Sequence, residues 1–252
     1  MTNPVALITG ASAGLGVEFA RQLSAKGHRL VLVARRKERL DALAKELGNA
    51  RAVAIDLGTP GAVAKLMANV VKAGETVDLL INNAGFGLVG RVAELDPERQ
   101  RAMIDLNIGA LTDLSRAVAP GMIKRRTGAI LNVASTAAFQ PGPGMAVYFA
   151  TKAYVLSFTE ALHEELKPHG IKVSALCPGP TRTEFGEVAG FGKMKGIERI
   201  LMDSAPVVAL GLKALDRNQA VMVTGAINKF GAVSTRFLPR SLLRKVVSMI
   251  KY

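Results

Sequence analysis

Short apolar runs alternate with longer stretches of helical period from the first residues almost to Gly225. Seven runs stand out: Val5–Thr9, Arg29–Ala34, Ala52–Asp56, Leu79–Asn82, Ala129–Ala134, Lys172–Cys177 and Val221–Val223. Each is rich in Val, Ile, Leu or Ala and stops at Gly, Asn, Pro or a polar residue, as strands buried on both faces do. Between them Gly16–Lys26, Lys37–Gly48, Gly61–Gly74 and Pro97–Lys124 carry helical patterns. The alternation predicts an α/β fold with a mostly parallel, seven-stranded sheet, right-handed crossovers and helices on both faces. No repeat, low-complexity tract or linker interrupts the chain, so residues 1–252 are expected to form one domain. Within it, 184–203 carries glycines at 186, 190, 192 and 196 and reads as a mobile insertion over a site.

Composition narrows the function classes. Cys177 is the only cysteine, which excludes an intrachain disulfide and a cysteine-based metal site. His28, His163 and His169 show no metal-ligand spacing, so no metal is expected. No stretch approaches the roughly eighteen unbroken apolar residues of a spanning helix, and no basic leader opens the chain, so a cytoplasmic protein is expected. The net charge of +13 is high and uneven: Arg217 to Tyr252 holds seven basic residues and no acidic one. Nucleic acid, an anionic membrane surface and phosphorylated ligands all fit such an excess, but no aromatic–basic interleaving of a nucleic-acid module is present. In the basic extension 226–252, Leu238, Leu242, Leu243, Val246, Val247 and Ile250 recur at helical spacing among Arg240, Arg244, Lys245 and Lys251. Pro239 suits the first position of that helix. Its apolar stripe either packs on the domain or a partner subunit, or meets an anionic membrane.

The chemistry concentrates at the strand ends. The first strand runs into Gly10-Ala11-Ser12-Ala13-Gly14-Leu15-Gly16, ahead of an amphipathic helix. Such a turn lets backbone N–H groups approach a pyrophosphate at a helix N-terminus, the signature of a doubly wound, Rossmann-type dinucleotide fold. The second strand ends at Arg35-Arg36, where an NAD-binding chain carries a carboxylate for the ribose 2′-hydroxyl. Guanidinium there suits a 2′-phosphate, so NADP is favoured over NAD, with Arg35 the better placed of the two. Asp56-Leu57, after the third strand, is a candidate for the adenine amino group. Asn83-Ala84-Gly85, after the fourth, is small enough to lie beside a flat ring while its amide ties neighbouring loops.

Tyr148 and Lys152 are four residues apart and hence on one helix face. A nearby cation stabilises a phenolate and is expected to draw its pKa down toward the useful range. Ser135, just past the fifth strand, can donate to the same substrate oxygen that Tyr148 protonates. Asn107, a polar residue in an apolar helical pattern, can equally be a core amide satisfied by backbone.

The set TGASAGLG, NNAG, Asn107, Ser135, YFATK and PGPTRT resembles the short-chain dehydrogenase/reductase family over about Pro4 to Gly225. The resemblance implies that Tyr148 is the general acid–base and that Lys152 holds the nicotinamide ribose. It further implies that Ser135 orients a carbonyl, that Asn107 anchors a relay water, and that Pro178, Gly179, Thr181 and Thr183 contact the nicotinamide amide. Thr151 stands where the family more often has Ser, a change expected to be harmless. The expected activity is NADP(H)-dependent interconversion of a carbonyl and an alcohol in a homo-oligomer, dimer or tetramer, relatives commonly pairing through the helix bearing Tyr148. A non-catalytic NADP-binding regulator is the alternative, and occupancy of all four catalytic positions argues against it. Phe139, Met145, Phe185, Phe191 and Met194 suggest an apolar substrate pocket.

Overall fold

A computed structural model of the chain describes residues 3–190 and 201–249. Its strands are β1 (Val5–Thr9), β2 (Arg29–Ala34), β3 (Ala50–Ala54), β4 (Val77–Asn82), β5 (Ala129–Val133), β6 (Lys172–Cys177) and β7 (Val221–Val223). They form one seven-stranded sheet in the order β3-β2-β1-β4-β5-β6-β7, with every pairing parallel. The helices are α1 (Gly14–Ala25), α2 (Lys37–Leu47), α3 (Ala62–Lys72), α4 (Pro97–Ile104), α5 (Leu111–Arg125) and α6 (Ala146–Leu166). They continue with α7 (Phe185–Ala189), α8 (Ser204–Asp216), α9 (Ala226–Ser234) and α10 (Arg240–Ser248).

Strand periodicity sorts the apolar residues onto two faces. Leu7, Val31, Val33, Leu80 and Ile130 pack with Leu66, Leu114 and Leu162 from α3, α5 and α6. Ala6, Ile8, Leu32, Ile81 and Leu131 pack with Phe19, Leu40 and Val208 from α1, α2 and α8. The chain winds outward from β1 to β3, crosses to β4 and winds the other way. The crevice beyond the C-terminal ends of β1 and β4 is therefore the switch point where such sheets hold ligands.

Four expectations shift. The third strand lies two residues earlier than its apolar run, because Asp56 has left the ladder: its Oδ1 accepts from Gly58 N at 3.0 Å in a local turn. The long helix over Pro97–Lys124 is broken by a π-helical turn, Asp105–Ala110, which holds Asn107. Extra residues of this kind inside an α-helix commonly mark functional positions. Pro239 caps α10 from outside instead of occupying its first turn. The 184–203 insertion begins as α7, and its base is pinned where Thr181 pairs with Met202; residues 191–200, with Phe191, Gly192, Met194 and Gly196, lie outside the described residues, as does Ile250.

Candidate active site

The glycine turn is braced from the neighbouring strand. Thr9 Oγ1 accepts from the backbone N–H of Asn83 and Ala84 at 3.0 and 2.9 Å, and Asn83 Nδ2 donates to Thr9 O at 2.9 Å and Gly10 O at 3.3 Å. Gly10 and Gly14 have φ of 67° and 53°, and a Cβ on Gly16 would run into the Gly10 carbonyl. No side chain caps α1 at Ala13, and no acidic residue stands in its first turn. Uncapped N–H groups at the positive end of a helix suit an anion, so the turn fits the pyrophosphate of a dinucleotide. Leu15 and Leu57 send their side chains into the two cores and leave only backbone for a ligand.

The arginines divide their partners differently from the expectation. Arg35 faces Asp56 at 3.9 Å. Arg36 reaches the glycine turn instead, donating from Nε and Nη2 to Ser12 Oγ at 3.2 Å and from Nη2 to Ser12 O at 3.3 Å. Arg36 also pairs with Glu184 at 2.9 Å, and Arg39 grips the same carboxylate at 2.5 Å. These two guanidinium groups, Arg39 foremost, hold the Glu184 carboxyl below its ordinary range. Arg39 was not singled out from sequence. Its signal is the spacing of three from Arg36 across the start of α2, which brings both groups to Glu184.

Ser135 caps a short 3₁₀ turn (Thr136–Phe139), its Oγ accepting from Ala137 N at 3.1 Å. The same hydroxyl is hydrogen-bonded to Tyr148, while Thr136 N donates to Pro178 O at 2.9 Å. Tyr148 and Lys152 are both buried on α6. The expected fall in the tyrosine pKa is reversed: burial pushes the phenol up to about 12, and the Ser135 hydrogen bond offsets only part of that. Lys152 gives little help because its Nζ donates to Val133 O at 2.8 Å and lies 5.9 Å from the Tyr148 ring centre. Burial also draws the lysine itself down to about 8.

Asn107 is buried and satisfied. Its Oδ1 accepts from Phe86 N at 3.1 Å, and its Nδ2 donates to Phe86 O and to Thr151 Oγ1, each at 3.0 Å. Thr151 Oγ1 in turn donates to Tyr148 O at 2.7 Å, so one hydroxyl links the π turn to the helix turn carrying the tyrosine. Gly85 is close-packed here: a Cβ on it would lie 2.9 Å from Asn107 Oδ1 and 3.7 Å from Lys152 Nζ.

The chain after β6 closes the arrangement. Thr181 Oγ1 donates to Gly179 O at 2.9 Å, and Thr183 lies against Gly14 of the glycine turn. Phe185, at the start of α7, lies with its ring centre 5.4 Å from that of Tyr148. Met145, Leu88 and Phe149 complete an apolar cluster about the phenol, whereas Phe139 packs in a separate cluster with Val155. A cleft of about 710 Å³ between α3 and the π turn shares only Leu57 with the predicted positions and is not this site. Among the described residues, no three His, Cys, Asp or Glu side chains are grouped to hold a metal.

A parallel doubly wound sheet with a braced glycine turn, and a Ser–Tyr–Lys group at its switch point, defines a nicotinamide-dependent oxidoreductase of alcohols and carbonyls. Residues 4–190 match the short chain dehydrogenase family, and the chain belongs to it. Over 187 residues it is 38% identical to the NADP-dependent 3-hydroxy acid dehydrogenase YdfG of Salmonella typhi, covering 73% of this chain and 75% of that protein. A short-chain dehydrogenase from Sphingobium yanoikuyae in complex with NADPH superposes with a TM-score of 0.83 at 36% identity, over 98% of this chain and 96% of that one. The bulky-bulky ketone specific alcohol dehydrogenase from Comamonas testosteroni aligns with a TM-score of 0.79 at 31% identity, over 100% and 96%.

Proposed function

We propose that this chain is an NADPH-dependent reductase of an apolar ketone or aldehyde, with Tyr148 as proton donor. The observation that carries the reading is the buried Tyr148 phenol, hydrogen-bonded to Ser135 and walled by Met145 and Phe185. The cofactor is held by Gly10, Ser12, Ala13, Gly14, Leu15 and Gly16 at its pyrophosphate and by Arg36, Arg35 and Arg39 at a 2′-phosphate. Asp56 and Leu57 border the adenine, Asn83, Ala84 and Gly85 line the middle, and Pro178, Gly179, Thr181 and Thr183 border the nicotinamide. When bound, NADPH supplies the hydride.

The residues of the chain supply position and protons. Ser135 Oγ donates to the carbonyl oxygen and fixes it beside the phenol. A phenol raised to about 12 stays protonated at neutral pH, the form required to protonate the oxygen in the reductive direction. Lys152 binds the nicotinamide ribose, and Asn107, through Thr151, fixes the turn of α6 on which Tyr148 rides. Phe185 and Met145 exclude water from the reacting carbonyl, which favours apolar substrates. The relative named for bulky ketones is compatible with that preference, whereas the one named for 3-hydroxy acids acts on a substrate that also carries a carboxylate.

Consumption of NADPH with ketones of graded size tests this reading. Tyr148→Phe keeps the ring against Phe185 and removes the proton, so turnover should fall about 10²–10⁴-fold while NADPH still binds. Turnover within a few-fold of the unaltered protein would place the proton donor elsewhere. Tyr154 is not a substitute, since it is exposed, stacked on Phe158 and hydrogen-bonded to Thr112 at 3.0 Å.

A further inference from the structure

Eight of the thirteen exposed large apolar side chains among the described residues fall between Ile227 and Met249. So dense a cluster on a soluble face marks a contact surface. On α9, Asn228 and Ala232 turn inward, Asn228 lying against Gly179, while Ile227 and Phe230 stand 82% and 77% exposed. On α10, Leu243 and Val247 are buried, and Leu242, Val246 and Met249 form a second stripe, at spacings of four and three, that is open to solvent. Phe237, between the helices, is 81% exposed. The sequence left two fates open for this apolar stripe; Leu243 and Val247 are buried, and the neighbouring stripe stays uncovered.

The same two helices are basic without relief. Lys229, Arg236, Arg240, Arg244 and Lys245 are all exposed, and no ion pair or hydrogen bond of their side chains is present among the described residues. No acidic residue occurs from Arg217 to Tyr252. We propose that α9 and α10 dock this protein on an anionic lipid surface, with Phe230, Phe237 and Met249 entering the acyl boundary and the five cations meeting headgroups. Exposed apolar side chains and unpaired cations carried by the same short helices are what an interfacial segment requires. A second copy of this face is disfavoured, because an isologous contact would set two such cation clusters together with no carboxylate between them. Exposed Ile, Val and Met have no use on a phosphodiester backbone.

The placement has a consequence that rests on the proposed reductase activity. The inner side of α9 packs on the Gly179 loop and on the 3₁₀ turn that follows Ser135, so lipid would lie beside the active-site mouth. An apolar carbonyl compound dissolved in the bilayer then reaches the site without crossing water. Docking itself does not depend on turnover, and its test does not use activity.

The full-length protein is sedimented with vesicles of phosphatidylcholine alone or mixed with phosphatidylglycerol. Binding is expected only to the anionic vesicles and should weaken as salt rises. Each cation removed should loosen it roughly fivefold, so the triple variant Arg240→Gln, Arg244→Gln, Lys245→Gln should bind about a hundredfold more weakly. The double variant Phe230→Ser, Phe237→Ser should also dissociate, while the arginine-to-lysine variant of 240 and 244 should not. Should the triple variant fail to fold, the salt series on the unaltered protein decides. Equal binding to neutral vesicles, or none to anionic vesicles at low salt, overturns the proposal. So does a serine variant that splits an oligomer in light scattering while vesicle binding is unchanged, since a second copy would then cover the face.

Discussion

Lys152 is a cation in a place where charge is expensive, and its one recorded hydrogen bond is to the Val133 carbonyl. Its pKa falls from 10.5 to about 8 on folding, so the unfolded chain binds the proton more tightly between those values. Below pH 8 the folded protein therefore carries the whole penalty of the buried ammonium, and the penalty is relieved as pH rises toward 10.5. Tyr148 has the opposite sign: its phenol, raised to about 12, favours the folded state below pH 10 and stops doing so as pH climbs to 12. Lys152→Met should accordingly abolish reduction yet stabilise the protein at pH 7, by up to about 3 kcal/mol, with the gain shrinking between pH 8 and 10.5. Denaturant titrations across that range check it, and a variant less stable at pH 7 would show that the Val133 hydrogen bond outweighs desolvation. The shared helix face of Tyr148 and Lys152 was legible from helix period and the place of Ser135 from the end of the fifth strand, while the roles expected of them came from the family resemblance. The pKa reversal was not legible, since it depends on how deeply α6 is buried and on where the ammonium points. The links made by Thr151 and Arg39 escaped for a related reason: their partners Asn107 and Glu184 are 44 and 145 residues away.

At the level of elements, apolar runs located all seven strands because a parallel sheet covered on both faces leaves little room for polar residues. The exceptions came from side-chain hydrogen bonds that periodicity does not register, as at Asp56 after β3 and Asn107 in the π turn. Glu184 is a further case. It lies at the start of the insertion, yet it joins Arg36 at the end of β2 and Arg39 in α2. The loop over the substrate cluster is thereby fastened to the same cations that would receive a 2′-phosphate. A phosphate and Glu184 compete for those donors, so cofactor binding should release the loop that carries Phe185. Glu184→Gln is expected to tighten NADPH binding about two- to fivefold, the range for exposed ion pairs, and to leave NADH binding unchanged. Fluorescence titration of both cofactors checks this. Equal tightening for NADPH and NADH would mean that Glu184 acts on the loop without competing for a phosphate.

Across the whole molecule, the positions assigned to the cofactor come from the ends of β1, β2, β3, β4 and β6, which together span most of the sheet. The two cores cover opposite faces of that sheet and share β1, β2, β4, β5 and β6, so neither face can open without disturbing the site. A ligand held across so many strand ends should stabilise the chain as one unit. NADPH at a hundred times its dissociation constant contributes about 2.7 kcal/mol to the folded state. In a chain of this size that corresponds to a rise of roughly 5–10 °C in melting temperature. NADH at the same concentration should give a clearly smaller rise, because Arg35, Arg36 and Arg39 then face no phosphate. Scanning calorimetry should show a single transition that moves as a whole. Two transitions of which NADPH shifts only one would divide the chain into separate units, and equal shifts with both cofactors would remove the arginines from cofactor selection.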